Sequence, residues 1–280
     1  MKITNILVHV DGSARTEERL RLAANVAAGH DAHVTGVFVV PDPYIAAYMA
    51  SGYVPVEIFE AQREEALKQS ETAKKLFADI SSKAGIKSEF RTEEGNISDV
   101  VARHARYADL AIVGKGDRAE PVKFPYPELS GDLVMTCGRP VLIVPNAGHF
   151  ENVGKRILVC WNASREATRA INDALPFLAG ADKVTILAVN PTKAAGGDHG
   201  DVPSADIALH LARHGVKAEA AATAADGIDI SDVILARASD LGADMIVTGA
   251  YGHSRTREWV FGGVTENLMR DTTLPVLMSH

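Results

Sequence analysis

Across 280 residues there are only two cysteines, Cys137 and Cys160, and they form no C-x-x-C pair. No disulfide framework is available to such a chain, and both residues read as small buried apolar groups rather than reactive thiols. Excess positive charge is missing too. Twenty-nine Lys and Arg against 36 Asp and Glu leave a net charge of −7, with no long basic run. A general attraction to nucleic acid or to an anionic membrane is therefore not expected, so any anion site must be local. No apolar stretch approaches the roughly 18 residues of a membrane span. The opening Met1-Lys2-Ile3-Thr4-Asn5 runs into a strand pattern without the apolar region of a signal peptide. The sequence reads as soluble and cytoplasmic. Neither G-x-G-x-x-G nor G-x4-G-K-[ST] occurs, so the Rossmann fingerprint and the Walker A loop are both absent.

A 46% hydrophobic composition allows a substantial core, and the length suits two domains. The chain also repeats itself. Ile6-Leu7-Val8-His9-Val10-Asp11-Gly12-Ser13 recurs as Ile157-Leu158-Val159-Cys160-Trp161-Asn162-Ala163-Ser164. Ile97-Ser98-Asp99-Val100 recurs as Ile230-Ser231-Asp232-Val233, and Ala108-Asp109 through Gly114 recurs as Ala243-Asp244 through Gly249. Arg139-Pro140-Val141-Leu142-Ile143-Val144 matches Leu274-Pro275-Val276-Leu277-Met278-Ser279. Two α/β units, 1–146 and 151–280, are thus expected, joined near Asn146 to Phe150. Short Val/Ile/Leu runs alternating with helical patterns predict an open, five-stranded parallel sheet covered by helices on both faces. In the second copy the pattern puts strands near 156–161, 184–189, 217–222, 244–248 and 275–279, with helices near 164–178, 203–214, 229–240 and 264–270. The first copy carries an insert from Pro43 to about Ser70. Its Tyr44, Tyr48, Tyr53, Pro55 and Phe59 suit either a flap beside a crevice or a packing element between the copies.

The stretch richest in chemistry is Gly249-Ala250-Tyr251-Gly252-His253, followed by Gly262-Gly263-Val264-Thr265. It starts where the apolar run Met245 to Thr248 stops and ends where a helical segment begins. Glycines at a strand exit allow positive φ and close approach of backbone N–H groups to an anion, and the following helix aims its first-turn amides at the same point. The loop is suited to phosphate. The spacing Gly-x2-Gly-x9-Gly resembles the nucleotide-binding signature of the universal stress protein family, with one departure: Gly263 stands where that pattern has Ser or Thr, leaving Thr265 to supply a hydroxyl nearby.

This resemblance implies two tandem Rossmann-like domains of the HUP type, each with strand order 3-2-1-4-5 and a crevice where the order reverses. It also implies that the final strands of the two copies meet as antiparallel edges, giving an intramolecular pseudo-dimer, with homodimerisation of whole chains left open. In the second copy it assigns Asn162 to the nucleoside, Val189 to the adenine edge through backbone groups, and Gly249, Gly252, Gly262, Gly263, Val264 and Thr265 to ribose and phosphates. His253 and Arg255 follow the second glycine and either meet phosphate or are ordinary solvated loop residues. The implied ligand is ATP or another adenine nucleotide, with or without Mg. At an offset of 135 residues the first copy keeps Gly114 but has Asp117, Pro127 and Glu128 in place of Gly252, Gly262 and Gly263. Pro127 has no N–H to donate, and a carboxylate about 4 Å from a phosphate charge costs about 4 kcal/mol at an effective dielectric of ~20. Lys115, Arg118 and Lys123 offset part of this. The first copy is therefore not expected to take a triphosphate.

Other patterns are weaker. Asp206, His210 and His214 share one helix face and suit either a divalent metal or a solvated stripe, with no fourth ligand set by spacing. Asp198-His199-Gly200-Asp201 reads as a surface connection. Ser13 and Ser164 have no His/Asp partners and read as helix N-caps rather than nucleophiles. No spacing identifies a catalytic base, and the Ser-Gly-Gly-x-Asp-Ser loop of related adenine-nucleotide enzymes is absent. The reading is a tandem, cytoplasmic stress-response protein with a regulatory nucleotide site in its second copy. An interaction module without nucleotide and a slow ATPase are the alternatives.

Overall fold

A computed structural model of the protein describes residues 2–42, 56–116, 129–151, 153–191, 204–251 and 263–280. Among the described residues there are ten strands and eight helices, and the chain forms two compact units, Ile3–Arg139 and Pro140–His280.

In the first unit the order along the chain is β1 (Asn5–Val10), α1 (Thr16–His30), β2 (His33–Pro41), α2 (Val56–Ala84), β3 (Lys87–Gly95), α3 (Ile97–Ala105), β4 (Leu110–Gly114) and α4 (Leu129–Thr136). The strands lie side by side as β3-β2-β1-β4, with β1 parallel to both neighbours. Continuous apolar runs occupy the centre because both sheet faces are covered: Ile6, Leu7, Leu110 and Ile112 are fully buried. The outer strand β3 is mostly exposed and carries Lys87, Glu89, Arg91, Glu93 and Glu94, charges that discourage pairing with another edge. Gly36 marks a close approach, since a Cβ there would lie 2.9 Å from the Phe77 ring on α2.

The second unit contains β5 (Val141–Val144), β6 (Arg156–Cys160), α5 (Arg165–Leu178), β7 (Lys183–Val189), α6 (Ala205–Arg213), β8 (Ala218–Thr223), α7 (Ile230–Asp240), β9 (Met245–Gly249), α8 (Gly263–Asp271) and β10 (Val276–Ser279). Its strand order, β8-β7-β6-β9-β10, is the 3-2-1-4-5 arrangement that the resemblance implies. β5 belongs to this unit because it pairs antiparallel with β10, Leu142 opposite Leu277. Elements predicted for this copy fall within a residue or two of those observed.

The repeated Ala-Asp pair has a structural cause. The Asp109 carboxylate accepts hydrogen bonds from the Thr4 and Asn5 amides, at 2.8 and 3.0 Å, and from the Thr4 hydroxyl at 2.7 Å. Asp244 accepts from the amides of Gly154, Lys155 and Arg156, at 2.9, 2.9 and 3.1 Å. Each aspartate precedes the fourth strand of its copy and ties down the start of the first. Burial alone would raise the Asp109 pKa, but the bonds from Thr4 and Asn5 outweigh it and hold the group below its ordinary value.

Two expectations are corrected. Ser13 does not cap α1: its amide and hydroxyl both bond the Asp11 carboxylate, at 3.0 and 2.6 Å, and α1 starts only at Thr16 with no side-chain cap. Asp11 accepts from the hydroxyls of both Ser13 and Thr16, which draws Ser13 into a local turn. Ser164 does cap α5, accepting from the Ala167 amide at 3.1 Å. The insert is also not a flap over its later half, since residues from Val56 onward form the long helix α2. There Phe59 is buried and Ser70 bonds Thr92 at 2.8 Å. Tyr44, Tyr48, Tyr53 and Pro55 lie outside the described residues.

Charged acceptors bonded to several amides contribute more than neutral ones. Asp244→Ala is expected to lower the unfolding free energy by about 1.5–3 kcal/mol, the value of a hydrogen bond to a charged group, as read by urea denaturation. An unchanged midpoint would show that the clamp contributes nothing.

Candidate functional site

The order reversal of the second copy lies between β6 and β9, and right-handed connections bring their exits to one edge of the sheet. Asn162 follows β6 on an exposed turn. Its Oδ1 accepts from the Ser164 amide at 3.1 Å, while its Nδ2 makes no hydrogen bond among the described residues. Val189 ends β7, and Gly249 ends β9. Gly263, Val264 and Thr265 open α8, the first two exposed and the third buried. Gly252, His253, Arg255 and Gly262 lie outside the described residues.

Gly249 has a different reason from the one its sequence context suggested. It is absent from the left-handed glycines, and a Cβ on it would lie 2.5 Å from the Ala167 nitrogen and the Glu166 carbonyl carbon. The missing side chain makes room for the first turn of α5, whose amides therefore sit against the β9 exit. A Cβ at Gly263 would meet none of the described residues within 4 Å. The Thr265 hydroxyl accepts from the Tyr251 amide at 3.4 Å.

Backbone strain gathers at the same edge. Ala163, Asn190 and Tyr251 have φ of 55°, 50° and 59°, so three of the five left-handed non-glycine residues among those described directly follow Asn162, Val189 and Ala250. Each such turn costs of order 1–3 kcal/mol, and strain of this kind concentrates at ligand sites. The equivalent of Ala163 in the first copy, Gly12, is not left-handed.

Sequence reasoning missed Glu166. It is 6% exposed and packs beside Gly249. Burial opposes its ionisation, yet bonding to its own backbone amide and to Arg165, with His280 nearby, holds its pKa below the ordinary value. An acidic residue therefore packs beside the β9 exit, although Asn162 itself carries no charge. The available signal was an acidic residue in the first turn after the Ser164 cap, a position also favoured by the helix dipole alone.

The first copy furnishes its crevice otherwise. Arg19, 2% exposed, donates from Nε to the His9 carbonyl at 2.7 Å and pairs through Nη2 with Asp11 Oδ1 at 2.9 Å. Its Nη1 lies where a Cβ on Gly114 would be. Thr16 bonds the same carboxylate. Burial would raise the Asp11 pKa, but Arg19, His9 and the Ser13 and Thr16 hydroxyls hold it far below its ordinary value. His9 itself is lowered to about 4, chiefly by burial and further by Arg19, with Asp11 opposing. Asp11 is therefore already engaged by groups of its own copy. Asp117, Arg118, Lys123, Pro127 and Glu128 lie outside the described residues.

The remaining candidates do not assemble. On α6 the His210 and His214 rings are 4.8 Å apart, but among the described residues no three metal-ligating side chains converge, so Asp206 does not complete a site. Asp198, His199, Gly200 and Asp201 lie outside the described residues. Neither cysteine is in a disulfide; Cys137 is buried, and burial pushes the Cys160 thiol up to about 12, against its bond to Thr248. No helix among the described residues is long and apolar enough to cross a membrane.

The sequence profile of the Universal stress protein family matches this chain twice, at residues 2–145 and 154–280. The chain belongs to the universal stress protein family. It is 27% identical over 177 residues to Universal stress protein Slr1230 of Synechocystis sp., covering 60% of this chain and 57% of that one. A universal stress protein of Mycolicibacterium smegmatis is 26% identical over 140 residues, 50% of this chain and 47% of its own. The chain thus spans about half the length of these curated relatives. Among solved structures, a universal stress protein from Archaeoglobus fulgidus DSM 4304 superposes with a TM-score of 0.77 at 16% identity, covering 99% of this chain and 96% of that one. It carries the fold: tandem copies of one α/β unit.

The buried His9 gives a pH test. A folded-state pKa below the ordinary 6.5 means that the unfolded chain binds a proton first as the pH falls. The contribution of His9 to stability is therefore full above pH 6.5 and lost progressively down to about 4. Replacing it by glutamine should flatten the stability–pH curve across that window, with unfolding monitored by denaturant at fixed temperature. Asp11 acts at lower pH: its contribution is present above the ordinary carboxylate value and disappears as the pH falls below it. An identical slope in His9→Gln would show that His9 is not held neutral in the fold.

Proposed function

We propose that this universal stress protein is a regulatory nucleotide binder. Its second copy takes ATP or a related adenine nucleotide, with or without Mg, along the carboxyl edge of β6, β7 and β9. The observation that carries this reading is the set of three left-handed non-glycine turns, Ala163, Asn190 and Tyr251, beside Asn162, Val189 and the glycine loop. The exposed Asn162 side-chain amide supports it as a donor for a ribose or base that makes no hydrogen bond among the described residues. Occupancy would order the loops at this edge and so alter contacts with a partner protein. Among the described residues no group in the crevice is placed as a catalytic base.

One observation favours a second reading, an interaction module without nucleotide: the buried Glu166 carboxylate repels phosphate from the same edge. For the nucleotide reading it favours a pose in which the nucleoside lies nearer Glu166 and the phosphates nearer α8.

Calorimetric titration with ATP and Mg is expected to give about one site per chain, with Kd in the roughly micromolar range of a shallow crevice. Gly252→Asp, which copies Asp117 of the first copy, should abolish binding and leave the unliganded melting temperature unchanged. The open space at Gly263 lets Gly263→Ser restore the family hydroxyl and tighten binding by about 0.5–1.5 kcal/mol. Two equivalent sites would refute the assignment to the second copy alone, and no heat of binding would establish the interaction module.

A further inference from the structure

We propose that the first copy carries a second binding site on its sheet face, away from the crevice, for a small organic anion bearing a carboxylate or phosphate group. A cavity of about 340 Å³ opens between β1, β2 and β3 and the carboxyl end of α3, lined among others by Asn5, His33, Thr35, Arg91, His104 and Tyr107. It lies at the amino-terminal ends of β1 and β2, whereas the nucleotide crevices lie at the carboxyl edge.

The second copy supplies an internal control. The strand pairs Asn5↔His33 and Thr35↔Glu89 correspond to Arg156↔Lys183 and Thr185↔Glu219, so the same place in the fold can be compared directly. There the cavity shrinks to about 10 Å³. Arg156 lies across it and donates from Nε to the Leu241 carbonyl at 3.0 Å. Its other cation, Lys183, is paired with Glu219 at 3.0 Å. In the first copy the arginine that fills the space has become Asn5. A new arginine, Arg91, stands on the wall where the second copy has Ala221. The cation has moved from filling the space to lining it.

The lining is held in place. Arg91 donates from Nη2 to Glu89 at 2.6 Å and approaches His104 Nδ1 at 3.4 Å. His104 Nε2 lies 2.6 Å from Glu93 Oε1, which fixes the proton on Nε2 and leaves Nδ1 as acceptor for Arg91. Glu93 is also engaged by Arg103 at 2.6 Å, and Glu89 accepts from Thr35 at 3.1 Å as well as from Arg91. Both carboxylates are thus committed to protein donors. The position of Lys183 is occupied by His33, whose ring has no hydrogen-bond partner among the described residues. A half-exposed guanidinium, an uncommitted imidazole and the second N–H of the Asn5 side-chain amide, whose first donates to Thr4 at 3.1 Å, line one cavity as donors for an oxyanion, and Tyr107, 84% exposed, gives the rim an aromatic face for its organic portion.

The test is amide-resolved NMR of the ¹⁵N-labelled full chain, titrated separately with sodium citrate and inorganic phosphate, with methylguanidinium chloride as the probe of opposite charge. Saturable shifts centred on Asn5, His33, Arg91 and Tyr107, with Kd of order 1 mM or below, are expected for at least one anion. They should vanish in Asn5→Arg, which recreates the filling of the second copy. Arg91→Ala serves as the second variant and should weaken binding at least tenfold if Asn5→Arg fails to fold. Shifts at Gly249 and Thr265 report the glycine loop and are read apart from these. Shifts that stay linear in both anions, persist in the folded variants, or arise only with methylguanidinium would overturn the proposal.

Discussion

Each copy depends on holding its first strand in parallel register between the second and the fourth, because that is where the order reverses and the crevice opens. β1 and β6 are short and mostly apolar, and β4 and β9 beside them are buried except at their carboxyl ends. Side-chain packing alone specifies such a register weakly. Asp109 and Asp244 specify it strongly, since a carboxylate bonded to successive backbone amides at the head of the first strand fits one alignment of the fourth. A displacement of one residue would present the opposite faces of both strands and separate the carboxylate from its donors.

On this shared frame the two copies use their charges differently. In the first, Arg19, Asp11, Ser13 and Thr16 form a closed set at the crevice, with His9 kept neutral against them. Groups so engaged must be separated before they can meet a ligand, and an unpaired buried guanidinium is costly. In the second, the equivalents of His9, Asp11, Thr16 and Arg19 are Cys160, Asn162, Ala167 and Ala170, none of them charged. The edge that results has strained turns and an exposed amide where the first copy has its buried Arg19–Asp11 pair. The contrast reverses on the sheet face, where the second copy is closed by Arg156 and the first is open. The two copies thus share one scaffold and differ in which of their surfaces is closed by their own charges.

The repeats, the α/β alternation and the strand positions were legible in the sequence because they rest on local pattern: apolar runs of strand length, glycine at strand exits, and Ser164 ahead of a helix. The glycine spacing identified the family for the same reason, since it records backbone demands within one loop. Gly249 shows the limit of such reading. Its glycine is required by α5, a helix more than 70 residues earlier in the chain, whose first turn leaves no space for a Cβ.

The sequence by itself determined that the chain holds two copies of one unit, where their strands and helices lie, and that three glycines remain in the second copy while the first has lost two. Only the tertiary structure decided that Arg19 reaches the Asp11 carboxylate, that Ser13 turns back on Asp11 rather than capping α1, that Glu166 is buried beside Gly249, and that Arg156 closes a cavity which Asn5 leaves open. Burial, partner and protonation state are properties of groups brought together by the sheet, and residue type alone sets none of them.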